Sequence, residues 1–319
     1  YPFYTFISKW TLNDIALIFN VWLSALIIVK LANNELEKTK EIILYILAGG
    51  VAAYAYAIHG RGLAILSAIT LVIVLLSVFN KRKLWLIGVY LSSAIVILGI
   101  DNIIKQYLNN NLIRIISDET GNTITNILKY INPESFAWEE VKSIIKGALG
   151  QLYYSFISTF GLIIVFLVVF FALVYQIVKK RKMTVKETNF FYLSLFSIIA
   201  FGVSWAISVI FYSNVYATGE VVSREYYFYG RYIETIYPLC IFCLFILLID
   251  KFLITKKQLI AIGILTILFL FIGFRLVSIE VLARSDLSLG FGSVATILGF
   301  AGKSFSTSNI TLYYYPWYA

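Results

Sequence analysis

The feature that most constrains this chain is a set of long runs in which no charge interrupts the apolar residues. Leu162 to Tyr175 is the clearest of them. Eight such stretches can be marked, at 12–31, 41–58, 62–80, 84–100, 151–178, 190–212, 233–250 and 258–275. A hydrocarbon layer about 30 Å thick takes roughly 20 apolar residues per crossing, and inside it every backbone amide must find a partner within the protein. The runs are continuous rather than alternating, which excludes a β-barrel and leaves helices. Composition agrees: of 319 residues 60% are hydrophobic and only 13% charged, against about 25% charged in soluble domains. The expected fold class is therefore all-α, a polytopic membrane protein of about eight transmembrane helices. The transmembrane domain would occupy 1–275, including an extracytoplasmic helical loop at 101–150, and 276–319 would form an extracytoplasmic C-terminal segment. Two cysteines and four prolines exclude a disulfide-built or collagen-like chain.

The net charge of +9 would suggest nucleic acid in a soluble protein, but here the placement of the charges matters more than their sum. Lys30, Lys38 and Lys40 fall in one interspan segment, and Lys81, Arg82 and Lys83 in another. Lys179, Lys180, Arg181, Lys182 and Lys186 form a third group, and Lys251, Lys256 and Lys257 a fourth. These clusters alternate along the chain with segments poorer in basic residues, so they read as cytoplasmic. Segments 59–61, 101–150 and 213–232, Tyr1 and the tail from Arg275 then lie outside. The Lys-, Ile- and Asn-rich composition fits an AT-rich bacterial genome, so the expected location is a bacterial plasma membrane with the active face outside. The chain opens at Tyr1 and its single methionine is Met183. No signal-peptide pattern is visible, and the expectation is a fragment whose upstream part is missing.

Within 101–150, Asn132 and Pro133 read as an N-cap and first helical position. Trp138, Val141, Ile145 and Ala148 follow on one face. Such a helix would either lie in the membrane interface, anchored by Trp138, or pack on other loops of the same chain.

Charges at a membrane boundary are costly and usually functional, so two constellations stand out. The first is His59-Gly60-Arg61-Gly62, a tight turn between two spans. Its glycines allow positive φ or close approach of a ligand, and its guanidinium can pair with phosphate oxygens. The competing reading is an ordinary interfacial turn whose arginine reaches to water. The second runs from Arg224-Glu225 through Tyr229, Gly230, Arg231, Tyr232 and Glu234 to Tyr237-Pro238. Arg231 and Glu234 share a helical face. This is either an anion-binding rim, with arginines for phosphate and tyrosines for a sugar or lipid, or an aromatic belt with an internal Arg–Glu pair.

Other candidates are weaker. Cys240 and Cys243 form a CxxC inside an apolar span and read as small packing residues, with no metal site assigned. Asp14 is expected to pair with Lys9. Asp101 and Asp118 read as solvated loop carboxylates, and Asn309-Ile310-Thr311 is a glycosylation sequon of little weight. No Walker loop, dinucleotide fingerprint, HExxH or GxSxG is present, which argues against ATP hydrolysis and membrane proteolysis, and no nucleic-acid module is visible.

Tyr1-Pro2-Phe3-Tyr4 followed by Leu12 to Leu31, with Asn20 inside, resembles the YPPLY-type segment and next span of the polyprenyl-phosphate-sugar glycosyltransferases. That group of the GT-C superfamily includes protein O-mannosyltransferases and the aminoarabinose lipid A transferase. Leu47-Ala48-Gly49-Gly50 through His59-Gly60-Arg61-Gly62-Leu63 is similar to the family's "AGL…GLAxLT[KR]G" turn. Gly230-Arg231-Tyr232-Ile233-Glu234 with Tyr237-Pro238-Leu239 resembles its "GRYxxPxxP" segment. Each match is short, and the three are spread over most of the chain. One proline stands where the family often has two, and Thr235 where proline is usual.

The resemblance implies a transferase moving a sugar from undecaprenyl or dolichyl phosphate to a lipid, glycan or protein acceptor, with inversion at the anomeric carbon. Arg61 and Arg231 would stabilise the leaving phosphate, assisted by His59, Arg224 and Tyr232. Tyr232, Glu234, Glu225 and Tyr229 would contact substrate. The family's general base is an Asp or Glu in the first outer loop, upstream of Tyr1, so the catalytic residue is unassigned and the chain by itself is expected to be inactive. No cofactor is assigned, though a divalent metal would be compatible; the expected partners are the sugar donor, its acceptor and membrane lipids, with no nucleic acid. Competing readings are a transporter or flippase of lipid-linked sugars, an O-antigen ligase-like protein and a structural membrane subunit. The middle of the spans is almost free of charge and no inverted repeat is evident, which favours interface chemistry over transport.

Overall fold

The computed structural model describes residues 12–33, 36–79, 84–111, 138–159, 161–178, 184–217 and 231–249, with scattered positions between 260 and 271. Every described element is helical. Five helices are long and apolar enough to cross a membrane, as expected of a multi-pass membrane protein. The chain divides into two compact units, one comprising residues 13–123 and 173–204 and the other 1–12, 124–172 and 205–319.

The first unit begins with α1 (Leu12–Ala32), α2 (Lys38–Ile58), a 3₁₀ turn (Gly60–Gly62), α3 (Leu63–Phe79) and α4 (Trp85–Asn111). α2 packs most extensively on α4 and next on α3. Small residues make this possible, because in lipid helices associate by close approach of their backbones rather than by escape from water. Ala48, Gly49, Ala52, Ala53 and Ala55 are buried along α2, and a Cβ on Gly49 would overlap the Tyr90 carbonyl of α4. Hydroxyl groups add links across the same contacts. Tyr45 Oη meets Ser77 Oγ at 3.2 Å, Tyr90 Oη meets Thr70 Oγ1 at 2.6 Å, and Ser93 Oγ donates to the Ile46 carbonyl at 2.8 Å.

α4 corrects the expected limits of the outer loop. Its 27 residues reach about 40 Å at 1.5 Å per residue, so the helix runs on through Asp101 and Lys105 instead of giving way to loop at residue 101. The Asp101 carboxylate is accordingly a helical residue, bridged to Lys105 one turn on at 2.7 Å.

The second unit holds α5 (Trp138–Ser158), most of α6 (Leu162–Val178), the end of α7 (Val185–Ala217), the one-turn α8 (Arg231–Glu234) and α9 (Tyr237–Ile249). Sequence periodicity treats 151–178 as a single span, and the structure divides it. Gly161 has φ 78°, a conformation that glycine adopts without steric penalty. Its N–H donates to the Phe156 carbonyl at 2.8 Å, closing α5, while Thr159 Oγ1 accepts from Ile163 N at 3.3 Å and caps α6. An unbroken helix over 151–178 would reach about 42 Å, well beyond one hydrocarbon thickness.

The helix expected behind Asn132-Pro133 exists from Trp138, those two residues lying outside the described part. The face expected to meet the interface or other loops is not the most buried one. Ile145 is exposed, whereas Gly147, Gly150, Gln151, Tyr154, Ser155 and Ser158 are buried, and the Trp205 indole of α7 donates to the Ala148 carbonyl at 3.1 Å.

α7 starts five residues before the expected span at 190, because Thr184 and Glu187 form a reciprocal capping box. Thr184 N donates to Glu187 Oε2 at 2.8 Å, and Glu187 N to Thr184 Oγ1 at 3.3 Å. The expected span 233–250 is likewise interrupted, by a turn at Thr235 and Ile236 between α8 and α9.

Candidate functional site

The turn His59-Gly60-Arg61-Gly62 keeps its arginine inside the first unit. His59 is extended, with φ −161° and ψ 144°, so α2 ends there and the chain reverses through one 3₁₀ turn. Gly62 N donates to the His59 carbonyl at 2.7 Å. A Cβ on Gly62 would overlap the Ala55 carbonyl, so only glycine allows the turn to lie this close to α2. The outcome is that Arg61 is 7% exposed and Asp14, in the first turn of α1, is fully buried. Arg61 Nη2 forms an ion pair with Asp14 Oδ1. Arg61 N and Nε donate to His59 Nδ1 at 3.1 and 3.3 Å, an arrangement that needs the imidazole neutral at that nitrogen.

Asp14 thus pairs with Arg61, while Lys9, its expected partner, lies outside the described residues. Only five positions separate Lys9 from Asp14 in sequence, whereas the fold brings a residue 47 positions away into contact. Close by, Lys105 Nζ donates to the Ala57 carbonyl at 3.4 Å, at the end of α2, while bridging Asp101. Two cations and two carboxylates therefore meet at one end of this unit, beside a neutral imidazole. A buried guanidinium held on two sides is oriented in advance and loses little rotamer freedom on meeting an anion. Its carboxylate partner also offsets its charge, so the cluster is not the bare cationic grip that the sequence alone suggests.

The second candidate constellation is divided by the limits of the described residues. Arg224, Glu225 and Tyr229 lie outside them, as does the Arg231 side chain, although Arg231 opens α8. Tyr232 is half-buried, and Glu234 is fully buried. Tyr154 Oη of α5 donates to Glu234 Oε1. Tyr237 Oη donates to Ser155 Oγ at 2.7 Å, so α8 and α9 both lean their polar groups on one face of α5.

That α5 face carries Gln151, Tyr154, Ser155 and Ser158 at helical spacing, all buried. Ser155 and Ser158 direct their hydroxyls back to the carbonyls of Gln151 and Tyr154, each at 2.8 Å. Neither side-chain polar atom of Gln151 has a hydrogen-bond partner among the described residues. Sequence reasoning missed Gln151 and Tyr154; the available signal was their i, i+3 spacing in a segment otherwise read as the start of an apolar span.

Asp118 and Asn309 lie outside the described residues. Cys240 and Cys243 are buried free thiols on α9. Comparison with known protein families, with characterised proteins and with solved structures finds no match for this chain.

Proposed function

We propose that this chain is the membrane portion of a glycosyltransferase that moves a sugar from a polyprenyl-phosphate carrier to an acceptor at the extracytoplasmic face. The observation that carries the reading is the buried Arg61 guanidinium, fixed by Asp14 and His59 at a turn between two spans. A lipid-linked donor must be met where its chain stays in lipid and its phosphate finds oriented donors, and a preorganised guanidinium there stabilises charge as it develops on the leaving phosphate. The three short resemblances to polyprenyl-phosphate-sugar glycosyltransferases of GT-C type support the same reading. Arg231, Arg224, Tyr232, Glu225 and Tyr229 complete the proposed donor and substrate contacts.

The proposed architecture keeps eight spans in a bacterial plasma membrane. α6 and α9, with 17 and 13 residues, reach about 25 and 20 Å; they would cross by local thinning or with help from flanking segments, and 258–275 would supply the eighth. The basic interspan clusters support an outside position for the Arg61 turn.

The test uses full-length protein in lipid nanodiscs with sugars carried on polyprenyl phosphate. Turnover of one such donor supports the reading. A variant lacking both charges of the pair, Asp14→Leu with Arg61→Met, is expected to lose roughly 10²–10³-fold in turnover. Wild-type turnover in that variant removes Arg61 from the chemistry. Movement of the intact lipid-linked sugar across the bilayer without transfer would establish the flippase reading instead.

A further inference from the structure

The buried face of α5 points to a use that the arginines do not cover. We infer that Gln151, Tyr154 and Ser155 of α5, facing Glu234 and Tyr237, form a subsite that reads the hydroxyl groups of a sugar. This rests on the glycosyltransferase reading for the identity of the sugar's carrier, but not for the chemistry of the subsite itself.

The argument starts from Gln151. Its side chain is fully buried, and neither Nε2 nor Oε1 has a hydrogen-bond partner among the described residues. A buried amide left in this state is strongly unfavourable and rare in native proteins, so something must satisfy it. It lies on the same helical face as Tyr154, which donates to Glu234, and Ser155, which accepts from Tyr237. The proposed subsite groups the amide with the polar side chains carried by, or bonded to, this face: a carboxylate, two phenols and a serine hydroxyl.

The chemistry selects the ligand. Nε2 offers hydrogens and Oε1 offers lone pairs, so the partner must accept and donate at adjacent positions. An anion is opposed by Glu234, and a metal cation would satisfy Oε1 while being repelled by the Nε2 hydrogens. A hydroxyl group does both, and two neighbouring hydroxyls on a sugar ring span an amide and a carboxylate together.

Glu234 is carried by a short element. α8 has four residues and is separated from α9 by the Thr235–Ile236 turn. Pro238, at the second position of α9, has no N–H to give. Displacing α8 breaks few backbone hydrogen bonds, the principal one across the turn being Ile236 N to the Ile233 carbonyl at 3.0 Å.

The experiment titrates full-length protein in nanodiscs with methyl glycosides of mannose, glucose, galactose and arabinose, by calorimetry and by thermal unfolding. At least one glycoside is expected to bind and raise the unfolding temperature. Gln151→Leu should leave the ligand-free protein as stable or more stable, since it removes two unsatisfied buried polar atoms, yet weaken glycoside binding about tenfold or more. Tyr154→Phe, which keeps the ring, serves as the second variant should Gln151→Leu fail to fold, with the same expected loss.

The same sugars on a short isoprenyl phosphate identify the source. Competition with the methyl glycoside assigns the subsite to the donor sugar, and simultaneous binding assigns it to a sugar acceptor. No binding by any glycoside, unchanged binding in both variants, or an ordered water alone completing the Gln151 amide would overturn the inference. Glycoside binding without donor turnover would leave the subsite standing and remove the transferase reading. Donor turnover with the KM values of donor and acceptor both unaltered in Gln151→Leu would do the reverse.

Discussion

Replacing Arg61 alone should damage this protein for a reason unrelated to chemistry, and the size of the effect follows from burial. Arg61 is 7% exposed and Asp14 fully buried, so Arg61→Met leaves an uncompensated carboxylate in a low-dielectric site. Removing one partner of such a pair costs about 3–5 kcal/mol, a large share of a typical stability of about 5–15 kcal/mol. Asp14→Leu should cost a comparable amount, since it strands the guanidinium. The double variant Asp14→Leu/Arg61→Met removes both charges at similar volume and should recover most of the loss, because a buried ion pair rarely outperforms apolar packing. Lys40 and Glu37 provide an internal reference. Their ion pair is 3.1 Å long, but its side chains are 69% and 65% exposed, so Glu37→Ala should change stability by less than about 1 kcal/mol. The assay is unfolding of the four variants in mixed micelles, followed by intrinsic tryptophan fluorescence and analysed as a double-mutant cycle. A coupling below about 1 kcal/mol, the range of exposed pairs, would refute the burial argument. Turnover in the stable double variant then separates a structural arginine from one that acts on substrate.

Three further outcomes test the packing. Gly62→Ala pushes a methyl group into the Ala55 carbonyl and should cost about 1–3 kcal/mol, read as a lower unfolding temperature; an unchanged value would show that the turn is not held against α2. Glu187→Ala removes one half of the α7 capping box and should cost about 0.5–2 kcal/mol, as loss of a cap does, with little added by Thr184→Ala in the same chain; full additivity would argue against a reciprocal cap. Tyr90→Phe and Thr70→Val each delete one end of the 2.6 Å hydroxyl contact and should show a coupling near 0.6 kcal/mol, the average for such contacts within a bilayer.

Much of the helical layout was legible in the sequence because, in lipid, hydrophobicity and backbone satisfaction act along the chain. Twenty apolar residues such as those of α1 or α3 have no alternative to a helix, whatever their neighbours are. The ends were less legible where a local signal competed with hydropathy. The Thr184–Glu187 box starts α7 early, and Gly161 breaks a run whose side chains alone give no reason to stop. The Arg61 turn was readable as a candidate from its glycines and its charge.

What Arg61 contacts was not readable, because Asp14 has a nearer cation in sequence, Lys9, and the fold brings it a distant one. The same holds for Gln151. At its position an amide reads as one polar residue in an apolar stretch, and only the tertiary packing of α5 makes it a buried group. The sequence by itself determined that these segments are helices suited to a membrane, since that depends on solvent and on neighbours within one or two turns. Tertiary structure decided which charges and hydroxyls meet, since pairing energies depend on distances between residues that the chain order leaves free.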